Sequence, residues 1–173
     1  MPTVIIRPDA ISSDSGFDQT GSNLLSRIND DDTSTFVVNN VSTGAFVATI
    51  ENSSAYSGAT INNVVVSITG NTINVKVPEA SFEVRLLNAA ESVLQSSTLN
   101  FTPTESTQNG AEYSTSLTPT VVDGFILSAT AETVGLIIKE VFITVDYTAA
   151  AINLPYIGMK SGKYKVVNGK IKI

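Results

Sequence analysis

Three consecutive aspartates stand in the stretch NLLSRINDDDTSTF, Asn23 to Phe36, just ahead of a short apolar run. Carboxylates crowded into one loop, with main-chain carbonyls beside them, supply the hard oxygen donors that calcium takes. Asp30 and Asp32 are the candidate calcium ligands. The stretch is not an EF-hand. Counted from Asp30, the sixth position lacks the required glycine and the twelfth is Val41 instead of a bidentate glutamate. Asp and Asn are also ordinary turn residues, so a solvated turn that caps the strand entry is the competing reading.

Other chemistries find little support. The chain of 173 residues has no histidine and no cysteine. The commonest general base and zinc ligand, thiolate metal sites and disulfides are therefore all missing. Twenty serines are present, but none sits in a G-x-S-x-G elbow and no imidazole is there to activate one. Paired carboxylates do glycosidase work, and the nearest pairs along the chain are Glu79 with Glu83 and Glu132 with Glu140. Glu83 and Glu140 alternate with apolar residues, which reads as outward-facing positions on strands, and Glu79 and Glu132 fall in turns. SGATINN and STGAF lack the lysine of a phosphate loop. The chain is expected not to be an enzyme.

The elements that must position these residues are strands. Asn, Ser and Thr make up 54 of the 173 residues and only 15% are charged, a composition that suits sheets with Thr- and Ser-rich outer faces. Period-two alternation recurs in SFEVRLLN (Phe82, Val84, Leu86), GFILSATA (Phe125, Leu127, Ala129) and KEVFITVDY (Val141, Ile143, Val145, Tyr147). Shorter strands are expected at Thr3–Arg7, Phe36–Val38, Phe46–Ile50, Thr98–Phe101 and Tyr113–Leu117. VVVSITGNTINVKV, Val64 to Val77, reads as a hairpin turning at Gly70-Asn71, with Ile68 opposite Ile73, Val66 opposite Val75 and Val64 opposite Val77. Ser22 to Ile28 has the look of a single helical turn. About nine strands spaced by turns predict an all-β antiparallel sandwich of jelly-roll type over residues 1–150. No apolar run approaches the ~20 residues needed to span a bilayer. The N-terminus has no basic segment followed by an apolar one, so no secretory leader is expected.

Residues 151–173 read as a linker and a basic hairpin arm. Residues 160–173 hold five of the ten basic residues and no acid, giving about +5, against −11 for the rest. Asn168-Gly169 is a strong two-residue turn signal. Folding there pairs Val167 with Lys170, Val166 with Ile171, Lys165 with Lys172 and Tyr164 with Ile173. Tyr164, Val166, Ile171 and Ile173 then share one face, and Lys163, Lys165, Lys170 and Lys172 share the other. An isolated two-stranded hairpin is marginal in water, so these residues are expected to dock on a partner or on the chain's own acidic body. Five lysines without arginine or paired aromatics are a weak nucleic-acid signal.

The stretch around Asn23–Phe36 resembles the N-L-hydrophobic-D-x-D-x-S/T-T-aromatic phrase of discoidin or galactose-binding-like domains, and IIKEVFITVDYT resembles their closing strand. That resemblance implies a jelly roll with a structural calcium in the acidic loop and a ligand site among loops. The chain departs from it at Phe36, where tryptophan is usual, and at Asp31, where the family's Asp-Gly-Asp turn has glycine. By composition and by its small tail, the chain is also similar to small structural proteins of tailed bacteriophages, especially marine ones. That likeness implies a capsid-decoration or head-surface protein, a homo-oligomer attached through its termini to other virion proteins and assembled in the host cytoplasm. The alternative is a carbohydrate-binding module with a calcium-stabilised loop and Tyr56 and Tyr113 as stacking platforms. No membrane partner is expected.

Overall fold

Alternating apolar residues need two sheets to bury them, and the computed structural model has two. It describes residues 1–73 and 79–150, and the backbone of Lys165–Val167 and Lys170–Lys172. In chain order the elements are β1 (Thr3–Ile6), β2 (Pro8–Ser15), α1 (Gly21–Ile28), β3 (Val37–Val38), β4 (Gly44–Ile50), β5 (Thr60–Thr72), β6 (Ala80–Leu87) and β7 (Val93–Phe101). Then follow β8 (Ser106–Asn109), α2 (Pro119–Asp123), β9 (Ile126–Ala131), β10 (Leu136–Thr148), β11 (Lys165–Val167) and β12 (Lys170–Lys172). One sheet runs β1-β10-β5-β8, with β3 also on β10, and the other β2-β4-β9-β6-β7. Every pairing is antiparallel. The result is an antiparallel β-sandwich of jelly-roll type, as the alternation requires.

The core is the expected set. Phe46, Phe82, Val84, Leu86, Leu127 and Ala129 face inward from one sheet, and Val64, Val66, Ile68, Val141, Ile143 and Val145 from the other; all are buried. Phe46 packs at a tilt against Phe82 with ring centroids 6.3 Å apart, and Phe17 meets Phe46 edge-on at 5.9 Å. Apart from the Val64–Val77 hairpin, the strands named from the sequence are present, with one exception. Tyr113–Leu117 contributes only an isolated bridge, Tyr113 to Val64. Polar strands β2 and β8 and the short helix α2 carried no alternation to reveal them. They are held by backbone pairing and caps, such as the Thr118 hydroxyl accepting from Val121 N–H. The helical turn at Ser22 is a two-turn helix, whose Leu24 and Ile28 are fully buried. The N-terminal strand β1 belongs to the body, where it pairs with β10 over Thr3–Ile6.

The hairpin expected at Gly70-Asn71 does not form. β5 runs straight through both residues, with Gly70 opposite Ile138 and Asn71 opposite Ile137. Val66 pairs with Ile143, Ile68 with Val141, and Val64 with Val145, so the proposed partner arm is displaced by β10. Ile73 is 57% exposed instead of lying opposite Ile68. Val75 and Val77 lie outside the described residues. Gly70 is needed for a different reason: a Cβ there would lie 2.4 Å from the Ile137 carbonyl oxygen. Two-sided pairing of β5 needs a smooth central strand with one bare position, and local sequence gives the same glycine to a turn.

The tail hairpin does form in the expected register, with Lys165 opposite Lys172, Val166 opposite Ile171 and Val167 opposite Lys170. It makes a two-stranded sheet distinct from the two sandwich sheets. Lys163, Tyr164 and Ile173 lie outside the described residues.

Gly70→Ala should destabilise the fold by about 1–3 kcal/mol in urea unfolding, because the added methyl meets fixed backbone. Gly124→Ala, whose Cβ would make only ordinary contacts at 3.5 Å and beyond, should stay within about 0.5 kcal/mol of the parent.

Candidate functional site

The acidic loop is placed by a break in the edge of β10. Along that edge β3 pairs with Ile137 and Ile138, and β1 pairs with Ile143 to Asp146. Residues 139–142 lie between the two. The chain leaves β1 at Ile6 and enters β2 of the other sheet at Pro8, so Arg7 is the single residue that crosses from sheet to sheet. Its guanidinium Nη2 donates to Asp31 Oδ1 at 2.6 Å, and its backbone N–H donates to Glu51 Oε1 at 3.0 Å.

Inside the loop, oxygens converge on Thr35. Its hydroxyl lies 2.6 Å from Asp30 Oδ2, 2.9 Å from the Asp32 carbonyl and 3.4 Å from the Arg27 carbonyl. Asp30 Oδ1 accepts from Asp32 N–H at 3.1 Å, and Asp32 Oδ1 accepts from Ser34 N–H at 2.8 Å. The hydrogen bonds from Ser34 hold the Asp32 carboxyl below its usual range. Asp31 adopts φ 59°, the left-handed conformation for which glycine is the usual choice and which Asp tolerates. Asp30 and Asp32 are therefore brought to one loop, but with different roles. Asp30 points its carboxylate at the oxygen cluster, whereas Asp32 contributes its carbonyl there.

Glu140 faces outward from its sheet as expected, but it is not exposed. It lies opposite Thr69, is only 8% exposed, and its Oε1 has no hydrogen-bond partner. Burial, with the Asp31 charge next, pushes its carboxyl above the usual range, and Arg7 partly offsets this. Sequence alternation gave the face correctly. It gave no sign that a loop a hundred residues earlier covers it.

The donor set around Thr35 suits a hard cation in kind: a carboxylate, a hydroxyl and two carbonyls, with the buried Glu140 carboxyl close enough to Asp31 and Asp30 to feel their charge. It does so only with main-chain oxygens. Among the described residues, no group of three or more His, Cys, Asp or Glu side chains is arranged to hold a metal.

Of the two expected stacking platforms, Tyr56 is not displayed and Tyr113 is displayed only in part. Tyr56 is fully buried, and its hydroxyl donates to Asp123 at 2.6 Å. Burial and the Asp123 charge push the phenol far above its usual range, which keeps it a neutral donor. Tyr113 is half-buried and exchanges two backbone hydrogen bonds with Val64. Phe36 is the only exposed aromatic residue among the described ones. The candidate carboxylate pairs are not site-like either. Glu83 is tied to Arg85 and Ser96, which lowers its carboxyl pKa, and Glu140 lies on β10 whereas Glu132 follows β9 of the other sheet.

The sequence matches no established family description and no curated protein. Solved structures match in fold. The C-terminal family 6 carbohydrate-binding module of LamC, a marine laminarinase from Zobellia galactanivorans, aligns with a TM-score of 0.52 at 12% identity, over 83% of this chain and 98% of that one. A truncated AlyQ with CBM32 and alginate lyase domains aligns at a TM-score of 0.47 and 14% identity, over 87% of this chain and 35% of that one. The likeness is one of fold: an antiparallel jelly-roll sandwich.

The raised Glu140 pKa has a definite sign. In the unfolded chain the carboxyl ionises in the ordinary range, while the folded chain holds its proton longer. Without a cation, the Glu140 contribution to stability should fall as pH rises through the ordinary carboxylate range and level off above the raised folded value, against the opposite slopes of Asp32 and Glu83. Glu140→Gln should remove that falling contribution and raise the melting temperature at neutral pH in chelator. Unfolding scans across pH read both effects.

Proposed function

We propose that this chain is a non-catalytic glycan-binding module whose acidic loop holds a calcium ion. The supporting observation is the sandwich itself, which is similar along nearly its whole length to the carbohydrate-binding module of a laminarinase. Calcium would be held by the Asp30 and Thr35 side chains with the Arg27 and Asp32 carbonyls, and its charge would offset that of the nearby buried Glu140 carboxylate. Its role is to fix the crossing of the chain between sheets, not to touch the ligand. The virion-surface reading draws no support from the fold or the comparisons.

The glycan reading is checked by affinity electrophoresis in gels carrying laminarin, alginate or other soluble polysaccharides. Retardation by at least one is expected, and free migration in all of them would end the reading. Calcium is checked separately. At about 100-fold over its dissociation constant, a cation bound only by the folded chain stabilises by about 2.7 kcal/mol. A calcium-dependent rise in melting temperature is expected, abolished by chelator and by Asp30→Asn.

A second reading has one observation in its favour. The basic tail forms a two-stranded sheet of its own, in the register its sequence requires. On this reading Lys163, Tyr164, Lys165, Val166, Lys170, Ile171, Lys172 and Ile173 dock the chain on a second copy or another protein. Light scattering on the full chain and on a chain ending at Ala151 decides it. An oligomer that becomes a folded monomer on truncation supports the arm, and two monomers refute self-assembly through it.

A further inference from the structure

The connections 51–59, 88–92 and 110–125 gather at one end of the sandwich. Thr49 lies beside Ile126, Ile126 beside Leu87, and Leu87 beside Val93. Between the first connection and α2 opens a hollow of about 320 Å³, lined by Asn52, Ser53, Ser54, Ser57, Thr120 and Asp123. A neighbouring hollow of about 310 Å³ shares Thr120 and adds Ala89, Ala90 and Val121. Neither borders the acidic loop.

The walls are fixed. The Ser53 hydroxyl accepts from Ala55 N–H at 3.2 Å and caps the 3-10 turn Ser54–Tyr56. Tyr56, fully buried beneath that turn, anchors Asp123 Oδ1, and α2 is capped at both ends. A carboxylate held in place by a neutral phenol is a preorganised acceptor. Hydroxyls and an amide surround it, and no basic residue and no aromatic lines either hollow. An anion would meet the Asp123 charge with nothing to balance it. A stacking-dependent ligand would find no ring. A neutral ligand dense in hydroxyls can donate to the second carboxylate oxygen and trade hydrogen bonds with the serines. Its C–H face can lie along Ala89, Ala90 and Val121.

We infer that this paired cleft binds one or two residues of a neutral saccharide, with Asp123 accepting from a sugar hydroxyl and Thr120 standing between the two sugar positions. This rests on the glycan-binding reading above and gives it a location. Its size falls at the small end of ligand pockets, which suits a short oligosaccharide segment.

The test is a two-dimensional amide NMR titration of the full chain, in calcium, with maltose, lactose, cellobiose and laminaribiose at millimolar concentrations. Amides of 52–57, 88–90 and 119–124 should shift with at least one sugar. Asp123→Asn keeps an acceptor for Tyr56 but removes the charge. Thr120→Leu fills the shared rim from an exposed position. Both should keep the parent's unperturbed spectrum elsewhere and lose the sugar-induced shifts. Shifts confined to other residues, or shifts unchanged in both variants, overturn the cleft while leaving a glycan-binding module. Absence of shifts with every disaccharide, together with retardation by a polysaccharide gel, also overturns the cleft. Absence in both experiments overturns the cleft and the glycan reading together.

Discussion

The architecture depends on a register shift in β10 at Lys139–Glu140. Before it, Ile138 lies opposite Gly70; after it, Glu140 lies opposite Thr69 and Val141 opposite Ile68. One extra residue reverses the parity of the strand. Leu136 and Ile138 reach the core from even positions, and Val141, Ile143 and Val145 reach it from odd ones. Without the shift, one half of this long strand would turn its apolar residues to solvent. The shift also sets Glu140 on the outer face within the stretch of edge that neither β3 nor β1 covers.

That uncovered stretch is where the two sheets are joined. Arg7 carries the chain across it, and its guanidinium is held by Asp31, whose φ turns the acidic loop back over Glu140. The loop therefore has a structural duty whatever it binds. Asn39 has a comparable duty at the other end of β3. It is fully buried, and its amide donates to the carbonyls of Val41 and Thr133, both at 2.8 Å. Gly44 must lack a side chain there, since a Cβ would fall 2.2 Å from Asn39 Oδ1. Each join uses a polar side chain to satisfy main-chain groups that no strand pairing reaches.

What the sequence disclosed follows the same division. Where one face is buried and one is not, period-two alternation reports it, as at Phe82–Leu86 and Val141–Val145. The tail register was equally legible, because a two-residue Asn-Gly turn leaves one way to pair the flanking residues. Gly70-Asn71 offers the same local signal and means something else. Its flanks are claimed by β10 from seventy residues away, and the glycine serves backbone approach. Tyr56 misled in the opposite direction. A tyrosine among serines in a polar loop looks like a displayed ring, but Asp123, sixty-seven residues later, satisfies its hydroxyl and lets the ring be buried. Long-range pairing, not local chemistry, decided both.

If the α2 cleft is the ligand site proposed above, the Tyr56–Asp123 bond would let recognition and stability coexist in this fold. Ligand sites often carry strain or unsatisfied groups that the rest of the molecule must tolerate. Among the described residues the buried polar atoms without a partner are Asn39 Oδ1, Asn71 Oδ1 and, on the acidic-loop side, Arg7 Nε and Glu140 Oε1; none is at the α2 end. At the α2 end the polar groups are already engaged. The phenol has its carboxylate, the Ser53 hydroxyl has its N–H, and the helix has its caps. A ligand arriving there has to order little that is not ordered already, so most of the hydrogen bonding it gains can appear as affinity. The join and the α2 cleft lie in separate parts of the sandwich, so a cation bound at the acidic loop would fix the frame without taking part in ligand binding at the cleft.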